Sequence, residues 1–159
     1  MRRKVERVSN EIAERLNPID GIEAITLHES AESDILDPYF FLSLDIYYKG
    51  ALPSAQDRLH FFEDAGGFES SEYTDKDRFF LEELPVRLEY KHTTRIDHIV
   101  EKPVENLKVF RENGTYTFYR LYYGNVITKN GNWLDTVRTR IEKLPEIFWE
   151  KLRASFFST

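Results

Sequence analysis

Residues 40 to 48 constrain the fold more than any other stretch of the chain. Phe40, Leu42, Leu44, Ile46 and Tyr48 fall on one side and Phe41, Ser43, Asp45 and Tyr47 on the other, which is the two-residue period of a β-strand. The chain must therefore build a sheet. Upstream, Val5, Val8, Ile12 and Leu16 recur at helical spacing with charges between them, and Asn17-Pro18 ends the run, so residues 3 to 16 read as an amphipathic helix. Gly21 then opens a short strand over residues 22 to 27. Residues 28 to 38 are polar and acidic with a turn-forming Asp37-Pro38, and read as a loop or short helix.

Downstream, Pro53 and Ser54 start a helix whose apolar face carries Leu59 and Phe62, and Gly66-Gly67 stops it. Residues 68 to 77 read as loop. Two strands follow, over 79 to 81 and 86 to 91, with a short turn between them; Val86, Leu88 and Tyr90 oppose Arg87, Glu89 and Lys91, which puts Glu89 on a polar face. After Thr94 the pattern is helical over 96 to 102, 115 to 127, 132 to 144 and 146 to 157, punctuated by Pro103, Gly114, Gly131 and Pro145. No repeat, low-complexity tract or flexible linker separates the halves. The expectation is one α+β domain over residues 1 to 159: a small mixed sheet with flanking helices in about 1 to 94, and C-terminal helices in about 95 to 159 packed on it.

Composition narrows the chemistry. With 41% apolar and 31% charged residues, a chain of this length buries roughly 68 to 70% of its unfolded surface without disulfides or metals. The absence of Cys excludes a disulfide scaffold, a thiolate zinc site and a cysteine nucleophile. His28, His60, His92 and His98 lack the close pairing of a helical zinc site. No run reaches the ~20 apolar residues of a membrane span, and Met1-Arg2-Arg3-Lys4 leads into an amphipathic pattern, so a cytoplasmic, membrane-free protein is expected. A net charge of −6 speaks against nucleic acid as a partner, because that requires cations gathered on one face.

Over about residues 20 to 92, the order of strand, Ser-containing loop, Asp-Pro turn, alternating strand, helix and a strand with a central acid resembles the nucleotidyltransferase superfamily. The resemblance implies a Gly-Ser turn after the first strand, a next strand with two carboxylates separated by one residue, and a third carboxylate on a later strand. Glycines let backbone N–H groups approach a triphosphate, and the acids hold divalent metal ions that bridge the phosphates. In this chain the turn reads Leu27-His28-Glu29-Ser30. Only Ser30 matches, as the nucleotide-binding hydroxyl, while Glu29 brings a negative charge and a Cβ to the place where phosphate would rest.

The following strand fits the resemblance in two registers. Without a gap from Asp37 through Gly50, the paired-acid positions fall on Phe41 and Ser43; with a two-residue slip they fall on Ser43 and Asp45. The ungapped register is preferred because insertions inside strands are disfavoured. Asp45 then stands on the same face, displaced by about 6 to 7 Å at the extended-strand rise. In Arg87-Leu88-Glu89-Tyr90-Lys91, Glu89 takes the third acid position. The resemblance thus implies Asp45 and Glu89 as the catalytic and metal-binding carboxylates, Mg²⁺ as cofactor, and an NTP or other small anionic ligand as partner, with the acceptor unspecified.

Each of these residues also has a purely structural use. Asp45 reads equally as a polar group on an exposed sheet face, Glu89 as an ion-pair partner of Arg87 or Lys91, and Ser30 as a cap. Glu29, Glu32, Asp34 and Asp37 could form a replacement acidic cluster or plain loop surface. Arg78, Lys91 and Arg95 could meet an anion at a cleft edge or pair with surface acids. Tyr116, Tyr119, Tyr122, Tyr123 and Trp133 could stack on a base, pack the core or join copies of the chain into a homo-oligomer. Two functions follow: transfer of a nucleoside monophosphate from an NTP through an altered site, or a non-catalytic ligand- or protein-binding module on the same fold.

Overall fold

The computed structural model describes residues 2–28, 42–71, 75–109, 111 and 115–157. Its centre is a six-stranded mixed sheet: β1 (Ile22–His28), β2 (Leu42–Tyr48), β3 (Gly66–Ser71), β4 (Lys76–Leu81), β5 (Leu84–His92) and β6 (Asn125–Lys129), in the spatial order β3-β4-β5-β2-β1-β6. The central pair β2 and β5 is parallel; every other pairing is antiparallel. Helix α1 is Arg2–Leu16, α2 is Ala55–Leu59 continued by a 3₁₀ turn at His60–Phe62, α3 is Thr93–Glu101 and α4 is one turn, Leu107–Val109. Helices α5 (Thr115–Tyr123), α6 (Trp133–Glu142) and α7 (Glu146–Phe157) complete the chain.

Two cores lie on opposite faces of the sheet. On the first, Val5, Val8, Ile12 and Leu16 of α1 pack against Ile25 and Leu27 of β1, Leu42, Leu44 and Ile46 of β2, and Leu88 of β5. On the second, Ala24 and Tyr47 meet Ile96, Phe118, Leu121, Leu134, Val137 and Phe148 from the later helices. All seven β2 side chains are buried, so the strand is sandwiched on both sides. That burial corrects the reading of Asp45 as an exposed sheet-face residue: its relative exposure is 0%. The cause is the helical layer, which covers the face that the strand's alternation marks as polar.

The first core contains its own buried ion pair. Arg58 donates from Nε to Asp77 at 2.9 Å and from Nη2 to Asp77 at 3.1 Å and Ser70 at 2.8 Å, while Nη1 reaches the Pro53 carbonyl at 2.7 Å. The guanidinium also lies 4.9 Å from the Tyr90 ring centroid. With these donors satisfied, the pair locks α2 to β4.

Three expectations need correction. Residues 68 to 77 are not loop throughout: β3 runs from Gly66 to Ser71, and β4 begins at Lys76. Phe68 stacks with Phe62 and Phe79 at 6.4 and 5.8 Å, and this aromatic packing ties the short edge strand down. The helix expected over 115 to 127 ends at Tyr123, and Asn125–Lys129 forms β6 against β1. A Cβ on Gly124 would lie 2.7 Å from the Arg120 carbonyl and 2.9 Å from Thr26, so only glycine lets the chain turn this close to β1. The sheet therefore draws a strand from the C-terminal part, where helices alone were expected. Residues 40 and 41, at the start of the expected alternating strand, lie outside the described residues.

Candidate functional site

The parallel register of β2 and β5 sets Ser43 beside Arg87, Asp45 beside Glu89 and Tyr47 beside Lys91. Because side chains alternate along each strand, these three rows share one face. β1 adds Thr26 and His28, and β4 adds Lys76 next to Glu89. The sheet thus brings the two sequence-nominated carboxylates, Asp45 and Glu89, to adjacent strands. Ser30 lies outside the described residues, as do Glu29, Glu32, Asp34 and Asp37.

Arg120 of α5 is the residue that sequence reasoning missed. It is 1% exposed and reaches down onto Asp45, with Nε 2.7 Å from Oδ2 and Nη2 3.1 Å from Oδ1. This is the bidentate fork of a guanidinium on a carboxylate. Nη2 also donates to Ser43 Oγ at 2.7 Å. From β5, Lys91 Nζ stands 3.3 Å from Asp45 Oδ1 and 3.7 Å from Glu89 Oε2, so one ammonium faces both acids. Glu89 has Arg87 Nε and Lys76 Nζ each 3.6 Å from Oε1. A signal for Arg120 exists in the sequence: Thr115–Tyr123 is a helix of aromatic and small residues with one charge in it. A lone charge on the buried face of an apolar helix needs a buried partner.

The remaining face is a graded basic surface. Arg87 is half-buried, donates weakly to Ser43 at 3.4 Å, and its Nε has no hydrogen-bond partner. Arg78 of β4 is exposed and has no carboxylate partner among the described residues. His28 packs edge-on against Tyr119 at 5.9 Å. Burial, and next the nearby Arg120 charge, hold its imidazole below the ordinary value of 6.5. Burial and then the Asp45 charge push the Tyr47 phenol well above its usual range, which keeps it protonated. Arg95, nominated with Arg78 and Lys91 for anion contact, is exposed on α3.

Of the aromatic residues, Trp133 is a packing group: its ring lies 5.5 Å from Tyr47 and its indole N–H donates to Asp97 at 2.9 Å. Tyr119, Tyr122 and Tyr123 instead line a groove on the outer side of the helical layer. The Tyr116 side chain lies outside the described residues.

A hard divalent cation needs oxygen ligands with little competing positive charge. At this site two carboxylates face Arg120, Lys91, Arg87 and Lys76. Among the described residues no group of three or more His, Asp or Glu side chains could hold a metal ion. The described residues of this site do not fit Mg²⁺.

No protein-family profile and no curated protein matches the chain. Among solved structures it is similar to a nucleotidyltransferase-like protein from Exiguobacterium sibiricum 255-15, with a TM-score of 0.55 and 12% sequence identity over 90% of this chain. The likeness places the chain in the class of nucleotidyltransferase-like folds. The match covers 40% of that other protein, so the likeness is one of fold. Among the described residues, no helix is long and apolar enough to cross a membrane.

Proposed function

We propose that the chain is a non-catalytic module on the nucleotidyltransferase-like fold that binds a small anion, such as the phosphates of a nucleotide, without a metal ion. One observation carries this reading: the Arg120 guanidinium lies against Asp45 where a metal-dependent transferase would need a divalent cation. A buried fixed cation supplies the charge that balances Asp45, and it cannot also bridge phosphates and activate an acceptor as a pair of metal ions does. The two acids become counter-ions that hold cations in place.

The charge balance supports the ligand class. Lys76, Arg78, Arg87, Lys91 and Arg120 share the face with Asp45, Glu89 and Glu69, the last opposite Arg78 on β3, an excess of positive charge in a protein whose net charge is −6. The guanidinium of the half-buried Arg87, 3.6 Å from Glu89 and 3.4 Å from Ser43, lies on this face, and guanidinium groups suit phosphate because they offer paired N–H groups.

The competing activity, transfer of a nucleoside monophosphate through Mg²⁺ held by Asp45 and Glu89, is tested by incubating the protein with labelled NTPs and mixed acceptors in millimolar Mg²⁺ or Mn²⁺. No incorporation is expected. Transfer that disappears in Glu89→Gln would overturn the non-catalytic reading. Inorganic pyrophosphate is expected to bind, and Arg87→Ala to weaken it by about tenfold, as for the loss of one charge-assisted contact.

A further inference from the structure

On the outer side of the helical layer, α5, α6 and α7 enclose a groove of about 370 Å³, within the usual range for small-molecule sites, roughly 300 to 1,000 Å³. Its lining includes five aromatic side chains, Phe118, Tyr119, Tyr122, Tyr123 and Trp149, and one carboxylate, Glu142. No Lys, Arg or His is among the described lining residues. Phe118 is buried and forms part of the floor, whereas Tyr119 and Tyr123 are 53% and 64% exposed.

The rings are held in a set geometry. Tyr119 and Tyr123 lie 4.9 Å apart at 44°, and Tyr122 meets Tyr123 edge-on at 4.9 Å and 81°. Tyr122 Oη donates to Glu142 Oε1 at 2.6 Å, which ties the exposed carboxylate to the aromatic cluster. Exposing two tyrosine rings to water is a cost that packing of the helices does not require, since the neighbouring Phe118, Leu121 and Ile141 already bury the layer's inner side.

We propose that this groove binds a small organic cation, of the methylated or alkyl-ammonium class. Ring faces carry the negative part of the aromatic quadrupole and attract a cation whose hydration is weak. Glu142 supplies a formal countercharge beside them. An anionic ligand would meet the same carboxylate and ring faces with the wrong sign, and a neutral apolar ligand would make no use of Glu142. The groove borders the basic face through the Tyr119–His28 contact but would bind the opposite charge, so choline binding and pyrophosphate binding report on the two readings separately.

Choline and its uncharged carbon isostere 3,3-dimethylbutan-1-ol are to be titrated into the full chain, with the Trp149 indole and Tyr ring resonances followed by NMR. Choline is expected to shift these resonances and to bind at least about tenfold more tightly than the isostere, the size of a partly desolvated cation–π contact. Tyr119→Leu and Glu142→Gln, both at the groove rim, are each expected to weaken choline about fivefold or more. Glu63→Gln, an exposed acid on the 3₁₀ turn's far end, is expected to leave it unchanged. Equal binding of the two probes, no binding of choline, or equal losses in Glu142→Gln and Glu63→Gln would each overturn the proposal. The last of these would mean attraction to the protein's general negative charge alone.

Discussion

Removing the Asp45 carboxylate takes the bidentate acceptor away from the buried Arg120 guanidinium. Asp45→Ala is therefore expected to destabilise the protein by about 3 to 5 kcal/mol, the usual cost of stranding one half of a buried ion pair. The double variant Asp45→Leu/Arg120→Leu should recover most of that loss, because replacing both charges by apolar groups is often close to neutral. Urea unfolding at pH 7 measures both; a single-variant loss below about 1 kcal/mol would show that the pair does not hold α5 to the sheet. His28 adds a pH dependence. Its folded-state value lies below 6.5 through burial and then Arg120, so the unfolded chain binds its proton first. Its contribution to stability is present above about pH 6.5 and is lost as pH falls through the lowered folded value. The stability difference between the wild type and His28→Asn should shrink on acidification across that window. In the sequence, Asp45 and Glu89 were legible as a pair of acids on facing strands. Their cationic partners were not, because Arg120 lies 75 residues away from Asp45 and only the packing of α5 on the sheet brings them together.

At the scale of elements, the β4–β5 hairpin turns through Glu82 and Glu83 with φ of +49° and +69°. Two successive positive φ values are the signature of a type I′ hairpin turn, which prefers Asn-Gly. Glu82 makes a 2.7 Å ion pair to Arg7 of α1, but the pair is exposed and too weak to offset the backbone strain. Glu83→Gly relieves a left-handed backbone strain and is expected to stabilise the protein by about 1 kcal/mol, read as a higher urea midpoint with an unchanged slope. A lower midpoint would contradict that account of the turn. The strands on either side were readable because Val86, Leu88 and Tyr90 alternate with charges. β3 and β6 were not: Gly66–Ser71 has little apolar content, and Asn125–Lys129, though it carries the β-branched Val126, Ile127 and Thr128, directly follows an aromatic helix, with the break depending on how closely Gly124 passes Thr26. Both are edge strands, whose assignment depends on a neighbour more than on their own sequence.

Over the whole molecule, the mixed α+β class followed from the sequence pattern, but the division into an early core and a late helical layer conceals how the two parts share one sheet. β6 pairs with β1, and the later helices bury Ala24, Tyr47 and Asp45. A chain ending at residue 113 would expose that apolar face and leave Asp45 without Arg120. It is expected to lack a cooperative unfolding transition and a dispersed amide spectrum; a truncated chain that gave both would show that the early part folds alone. The proposed function depends on the same helix, because α5 delivers the cation that sits on Asp45. The measurement that bears on this most directly is calorimetric titration of inorganic pyrophosphate into the intact protein, once in EDTA and once in excess Mg²⁺. Binding at least as tight in EDTA as in Mg²⁺ is predicted, since the fixed cations on the sheet face do the neutralising. Binding that appears only when Mg²⁺ is present would contradict it.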